Sequence, residues 1–143
     1  MKIKFKKIIS LDKFIDFSLY NKKSGYYIKK NPFGKKGDFI TSPDISILFS
    51  EMIGIWLVAL WKKLKKPKKI NIVDLGAGDG EMMFNIIKTS NKFSFFKKSC
   101  NFFIFEKSMY LQEKQKKKLK NFDIIWLTSL YKVNNFPTIF IGN

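Results

Sequence analysis

At 143 residues the chain has the length of one domain that can bury its own core. A single cysteine, Cys100, excludes an intramolecular disulfide and fits a reducing compartment, and the longest apolar run, Met52 to Trp61, is too short to cross a bilayer, so no membrane insertion is expected. The formal net charge of +17 would ordinarily point to a polyanion, but every one of the 28 basic residues is lysine and they are spread along the whole chain, the profile of an AT-rich gene, so they are read as solvated faces and nucleic acid is not the favoured partner.

Ser10 is placed to cap a helix carrying Leu11, Phe14, Ile15 and Leu19 at helical spacing, with Asp12 at the positive end of its dipole. Asp12 and Asp16 interrupt the apolar residues after the basic amino terminus, which argues against a secretory signal. Asn21 to Gly25 ends the helix, and Gly25-Tyr26-Tyr27-Ile28 reads as a short strand. The following stretch, 31–44, holds two glycines, two prolines and small polar residues, which makes it a loop of defined shape. Thr41 or Ser42 then caps a long helix with Pro43 in its first turn. Ile45, Leu48, Phe49, Met52, Ile53, Trp56, Leu60 and Leu64 recur along it every three or four residues and are assigned to the core, and Pro67 blocks continuation.

Ile70-Asn71-Ile72-Val73-Asp74-Leu75 has the composition of a strand buried on both faces of a parallel sheet. Gly76, Gly78 and Gly80 follow at alternate positions, where the backbone can turn sharply and let a ligand approach. A helix begins at Glu81 with Met82, Met83, Ile86 and Ile87 as its apolar positions. Strand, glycine loop and helix make a nucleotide-site topology. A dinucleotide fingerprint counted from Gly76 needs glycine at 81, where this chain has Glu, and Asp74 would repel a pyrophosphate. A carboxylate there suits a ligand with an ammonium group and no phosphate, and S-adenosylmethionine, with its α-ammonium, sulfonium and ribose, has that build.

Phe93 to Cys100 reads as an irregular connection and Asn101 to Phe105 as a second buried strand. Glu106 closes it, where an acid can accept hydrogen bonds from both ribose hydroxyls. Ser108 to Lys120 is a mostly polar helix, weakly amphipathic through Met109, Leu111 and Leu119. Asp123 to Trp126 and Thr138 to Ile141 are the third and fourth strands, with Pro137 at the entry of the last.

The segment from Asp74 to Gly80 resembles motif I of the class I methyltransferases, and the chain as a whole resembles the MidA-like methyltransferases. That family includes the mitochondrial complex I assembly factor that dimethylates an arginine of a complex I subunit. Gly25-Tyr26-Tyr27 is similar to the family's Gly-Tyr-Tyr, and Gly37 to Ser46 to its Gly-Asp-Phe-x-Thr-x-Pro-Glu-Ile-Ser run, which Phe49, Glu51, Gly54 and Trp56 continue. Asp74 stands where the family usually has Glu, and Ala77 and Asp79 where Pro and Arg are common. Phe105-Glu106-Lys107-Ser108, Leu111 and Gln115 resemble the second-strand segment, and Trp126 and Leu130 the third. Asn143 corresponds to the first residue of a family motif Asn-Glu-x-x-Asp-Ala-x-Pro.

The resemblance implies an α/β fold: a Rossmann-like class I methyltransferase sheet, truncated after about the fourth parallel strand, with an amino-terminal helical extension. Residues 1–69 would form that extension, packed on 70–143 as the first half of the S-adenosylmethionine domain, in one structural unit. It implies S-adenosylmethionine as cofactor, held by Asp74, Gly76, Ala77, Gly78, Asp79, Gly80, Glu106 and Lys107, with no metal. Gly37, Asp38, Phe39, Thr41, Ser42 and Pro43 would close over its methionine end, and Asn143 would lie on the acceptor side. The implied reaction is protein arginine N-methylation, with a complex I subunit as the candidate substrate, in bacterial cytoplasm or, in a eukaryote, the mitochondrial matrix. No general base is identified. A nucleic-acid methyltransferase and a non-catalytic fragment are the alternatives, the first requiring lysines and aromatic rings gathered around the glycine loop.

Overall fold

Ile70, Ile72 and Val73 are fully buried, and a strand apolar on both faces is stable only between neighbours and beneath helices. The computed structural model, which describes residues 8–21, 23–29, 32, 37–39 and 45–143, supplies both. Strand β1 (Ile70–Leu75) lies between β2 (Cys100–Phe105) and β4 (Thr138–Ile141), and β3 (Ile124–Leu127) pairs with β2 on the far side. All three pairings are parallel, with Asp74 opposite Ile104 on one side and Ile141 on the other. The order β3-β2-β1-β4 means that the chain steps outward from β1 and then crosses back, so the direction of winding reverses between β1 and β4. Ligands of open α/β sheets bind at the carboxyl end of such a switch point. The glycine loop is there.

Among the described residues six α-helices accompany the sheet: α1 (Leu11–Tyr20), α2 (Tyr26–Lys29), α3 (Ile47–Lys63), α4 (Glu81–Ser90), α5 (Ser94–Ser99) and α6 (Met109–Lys118). The main core combines Leu57, Val58 and Trp61 of α3 with Ile70 and Ile72 of β1 and Met83, Ile86 and Ile87 of α4. A smaller cluster of Val73, Phe103 and Leu127 takes the residues of the other parity. Register is pinned by a polar pair inside the sheet. Buried Asn71 donates to the Asn134 carbonyl and to Thr138 Oγ1, and accepts from Asn101 Nδ2 at 3.0 Å. Three strands are thereby tied at one level.

Three expectations are corrected. Tyr26 to Ile28 lie in the helical turn α2 and not in a strand. β-rich composition has no consequence without a neighbouring strand, and here Tyr27 stacks on Tyr20 with ring centroids 5.7 Å apart. Residues 94–99, expected to be irregular, form α5, a helix too short for periodicity to reveal, which sets Phe96 against Trp61 at 5.7 Å.

The third correction concerns α3. The stripe assigned to the core is mostly the outer face, with Ile45, Leu48, Met52, Trp56 and Leu64 exposed. Phe49 and Ile53 are partly buried against the core, and Leu60 is half-buried. The inner face is Ser50, Gly54, Leu57, Val58 and Trp61. A helix apolar all round offers no hydropathy contrast by which to choose a face, and the choice is made by size. A Cβ on Gly54 would stand 2.9 Å from Thr89 Cβ, so only glycine lets α3 approach α4 that closely. The expected start of this helix at Thr41 to Pro43 lies outside the described residues. At α1 the helix forms as expected, but Ser10 gives it no side-chain cap; its hydroxyl bonds Asp12 instead, holding that carboxyl below its usual range.

Candidate active site

β1 delivers the chain into a turn in which Gly76 and Gly80 have φ of +71° and +84°. Only glycine takes these angles without strain. Gly76 N–H donates to the Phe105 carbonyl at 2.9 Å, extending the β1–β2 ladder by one rung, and Gly80 N–H donates to the Ala77 carbonyl at 2.8 Å. A Cβ on Gly76 would meet nothing within 4 Å, so this side of the loop opens onto free space. A Cβ on Gly80 would come within 3.2 Å of Leu119. Gly80 is therefore required by packing as well as by angle.

Asp74 is 0 % exposed, and neither carboxylate oxygen has a hydrogen-bond partner. Burial, and then the nearby charge of Glu106, push its pKa up to about 7. A buried polar group left unsatisfied costs free energy unless something absent from the protein atoms pairs with it. Glu106 is also buried, and burial raises its pKa despite hydrogen bonds that work the other way. Its Oε1 accepts from Ser108 N–H at 2.8 Å and its Oε2 from Gln115 Nε2 at 3.4 Å. Each oxygen keeps a further lone pair for a hydroxyl donor.

The same Gln115 amide donates to the Gly78 carbonyl at 2.9 Å, while its Oε1 accepts from Trp126 Nε1 at 3.0 Å. One side chain thus ties the glycine loop, the acid at the end of β2, and β3. Gln115 entered the sequence reading only as part of a pattern. Its signal was a polar residue in phase with buried Leu111 and Leu119 on an otherwise lysine-rich helix.

A pocket of about 250 Å³ opens beside the loop, lined by Tyr20, Leu75, Gly76, Phe105, Glu106, Lys107 and Leu130. Lys107 forms an ion pair with Asp16 at 2.8 Å and lies over the Tyr20 ring at 5.2 Å. This draws α1 to the pocket rim, a placement that nothing in the pattern of α1 announces.

The other expected residues divide. Asp79 accepts from Glu81 N–H at 3.1 Å and pairs with Lys118 at 2.6 Å, so its carboxylate braces the start of α4. Ala77 packs against the main core. Asp38 accepts a hydrogen bond from the Tyr26 hydroxyl, and Phe39 N–H donates to the Pro32 carbonyl at 2.8 Å while its ring meets Tyr26 edge-on. Gly37 is half-buried next to them, whereas Thr41, Ser42 and Pro43 lie outside the described residues. Asn143 is exposed at the end of the chain, just past Gly142, where a Cβ would lie 3.3 Å from the Leu75 carbonyl oxygen. It sits at the same end of the sheet as the loop.

Residues 52–143 match the model of a family described as putative S-adenosyl-L-methionine-dependent methyltransferases. The chain belongs to this family. S-adenosylmethionine is thus the cofactor of the family, and the unpartnered Asp74 oxygens, the open side of Gly76 and the free lone pairs of Glu106 fit such a ligand. Among curated proteins, the mitochondrial protein arginine methyltransferase NDUFAF7 homolog of Drosophila melanogaster is 45% identical over 75 residues, covering 52% of this chain and 17% of that protein. Human mitochondrial NDUFAF7, also a protein arginine methyltransferase, is 35% identical over 100 residues, 70% of this chain and 23% of its own length. The chain therefore aligns with less than a quarter of these relatives. A crystal structure from Burkholderia thailandensis, bound to S-adenosyl-homocysteine, superposes with a TM-score of 0.74 at 20% identity over 94% of this chain and 36% of that one. A likeness at that identity shows a shared Rossmann-like methyltransferase fold.

Proposed function

We propose that this chain is the cofactor-binding portion of an S-adenosylmethionine-dependent methyltransferase whose acceptor is a protein arginine. The observation that carries the reading is the convergence, at the winding reversal of the sheet, of an unpartnered buried carboxylate, a positive-φ glycine turn and a second acid held to that turn by Gln115. In this reading Glu106 accepts from the ribose hydroxyls, and Gly76 and Gly78 let the ligand approach the backbone. Asp74 is the negative partner of the cationic amino acid end, directly or through backbone groups. Lys107 and Tyr20 wall the pocket. Asp79 acts from behind, keeping the loop in register with α4.

When bound, the cofactor supplies a methyl group on a sulfonium, an electrophile that needs no covalent enzyme intermediate. The residues of this chain then work by alignment: Glu106 and the loop fix the adenosyl half, Asp74 fixes the other, and the apolar wall of Leu75, Phe105 and Leu130 excludes water. The described residues among 1–69 serve as an extension that packs on residues 70–143 as one unit. Ser108 Oγ donating to the Tyr27 carbonyl at 2.7 Å, the Lys107–Asp16 pair, and α3 residues in the main core support this. Names of the curated relatives support arginine as acceptor and, in a eukaryotic host, a mitochondrial location. Within that reading the matrix is the compartment and a complex I subunit the candidate substrate, with bacterial cytoplasm the alternative. Among the described residues, two lysines beside the glycine loop are already engaged by acids, which disfavours the nucleic-acid alternative. Lys107 is paired with Asp16, and Lys118 with Asp79 and Glu81.

Isothermal titration of the chain with S-adenosylmethionine tests the reading. Saturable one-to-one binding, weakened at least tenfold in Glu106→Ala, is expected; no heat at millimolar ligand would overturn it. Acceptor chemistry is read by mass spectrometry of mitochondrial protein incubated with a longer family member carrying these residues, where methylated arginine is the expected product and methylated nucleic acid the contrary one.

A further inference from the structure

A second cleft, larger than the one beside Gly76, lies at the opposite end of the sheet, where α3, α5 and the chain entering β1 meet. Its volume is about 740 Å³. The floor is apolar, formed by Val58, Trp61 and Phe96, all nearly inaccessible. The one polar atom of Trp61 is already used, because its indole N–H donates to the Pro67 carbonyl at 3.0 Å. Phe93 and Phe95 stand on the rim, and Phe95 is 81% exposed. Exposed aromatic surface of this kind, next to a concave apolar floor, marks a binding site more often than an isolated exposed ring does.

The rim is also strongly cationic. Lys62, Lys66, Lys68, Lys92 and Lys98 line the cleft. No acidic residue occurs between Glu51 and Asp74 or between Glu81 and Glu106. Among the described residues none of these lysines is in an ion pair. Lys65 and Lys66 have φ of +61° and +54°, a conformation that side-chain-bearing residues adopt at a cost. That turn ends α3 through Lys66 N–H donating to the Trp61 carbonyl at 3.0 Å, and it carries Lys66 to Lys68 to the mouth of the cleft.

We propose that this cleft binds an amphiphilic anion, with its apolar tail on Trp61, Phe93 and Phe95 and its acidic head among the lysines of the rim. A purely inorganic anion would make no use of the apolar floor. A cationic or neutral amphiphile would make none of the charge. The site is independent of the cofactor pocket: it lies at the amino ends of β1 and β2, whereas the glycine loop and Glu106 are at their carboxyl ends.

Titration calorimetry with the 143-residue chain tests the proposal. Laurate below its micelle concentration is compared with acetate, which keeps the head, and dodecyltrimethylammonium, which keeps the tail with the opposite charge. Saturable binding of laurate, at least tenfold tighter than either control, is expected. Binding should weaken severalfold in Phe95→Ser and in the double variant Lys92→Gln/Lys98→Gln, both at exposed positions, while S-adenosylmethionine binding stays unchanged. Vesicles of phosphatidylglycerol in phosphatidylcholine distinguish the source: laurate binding identifies a free amphiphile, and binding to vesicles alone, with the same dependence on Phe95, identifies a bilayer lipid. The proposal is overturned if acetate or dodecyltrimethylammonium binds as well as laurate, or if neither laurate nor vesicles bind. It is equally overturned by a single-stranded oligonucleotide that displaces laurate and whose own affinity is indifferent to Phe95→Ser, since that describes a polyanion surface.

Discussion

Asp74, the fifth residue of β1, and Glu106, one residue past the end of β2, lie on the same side of adjacent parallel strands, and the charge of Glu106 helps to keep the Asp74 proton on. Glu106 sets a negative potential at the mouth of the sheet, and a cation brought there would let unpartnered Asp74 release its proton. A cation is the natural complement.

The stability of the ligand-free chain should therefore depend on pH in a particular direction. Asp74 has a folded-state pKa of about 7 against an ordinary value of 3.8, so between these values the folded state holds a proton that the unfolded state has released. Stability contributed by this group is complete below pH 3.8 and is lost as pH rises through 7. The slope is at most about 1.4 kcal/mol per pH unit. Urea titrations at pH 4.5, 5.5, 6.5 and 7.5 should show this decline, and Asp74→Asn should flatten it; parallel curves for the two proteins would mean that Asp74 is not protonated in the fold.

Gln115→Ala should be among the more costly single changes. It leaves the Gly78 carbonyl and the Trp126 indole N–H without their partners, and it frees Glu106 from the loop. Both groups are only partly buried, so each loses less than the about 1–3 kcal/mol of a fully buried group, and a total loss of about 1–3 kcal/mol is expected from chemical denaturation. The affinity for S-adenosylmethionine should fall at least tenfold. A stability loss with unchanged affinity would confine Gln115 to the fold.

Much of the sheet was legible because its signals are local. Three apolar β-branched residues ahead of three spaced glycines, and Glu106 directly after an apolar run, locate the carboxyl ends of β1 and β2 without tertiary information. What escaped depended on partners distant in sequence. The inner face of α3 is chosen by the contact of Gly54 with Thr89, thirty-five positions on, and helix α2 forms where, among the described residues, no strand pairs with Tyr26 and Tyr27. Gln115 looks like one more polar residue among lysines until Trp126, Gly78 and Glu106 are seen around it. The partner of Asp79, Lys118, is likewise a residue whose reach cannot be foreseen from spacing.

Gly54→Ala tests that choice of face. The new methyl would be 2.9 Å from both Thr89 Cβ and Cγ2, and two helix backbones would have to move apart to admit it. Overpacking of this kind costs about 1–3 kcal/mol, which outweighs the gain of up to about 1 kcal/mol from replacing glycine within a helix. Net destabilisation is expected, with only partial relief from Thr89→Ser, which removes Cγ2 but leaves Cβ in the way. A more stable Gly54→Ala protein would place the interface of α3 on its other face.

The pair of Asp16 and Lys107 separates the part α1 plays in stability from the part it plays at the pocket. Both side chains are more than half exposed, at 59% and 51%, so the ion pair should contribute well under 1 kcal/mol to folding. Asp16→Asn should leave the denaturation midpoint almost unmoved. Yet Lys107 lines the pocket beside Glu106, and Asp16 holds its ammonium over Tyr20. Released from Asp16, that ammonium is free to turn toward the Glu106 carboxylate and compete with a ligand for it. The affinity for S-adenosylmethionine should then drop severalfold in Asp16→Asn and recover in the double variant Asp16→Asn/Lys107→Met, which removes the competitor. Equal affinity in all three proteins would leave α1 as a neighbour of the pocket with no influence on what it binds.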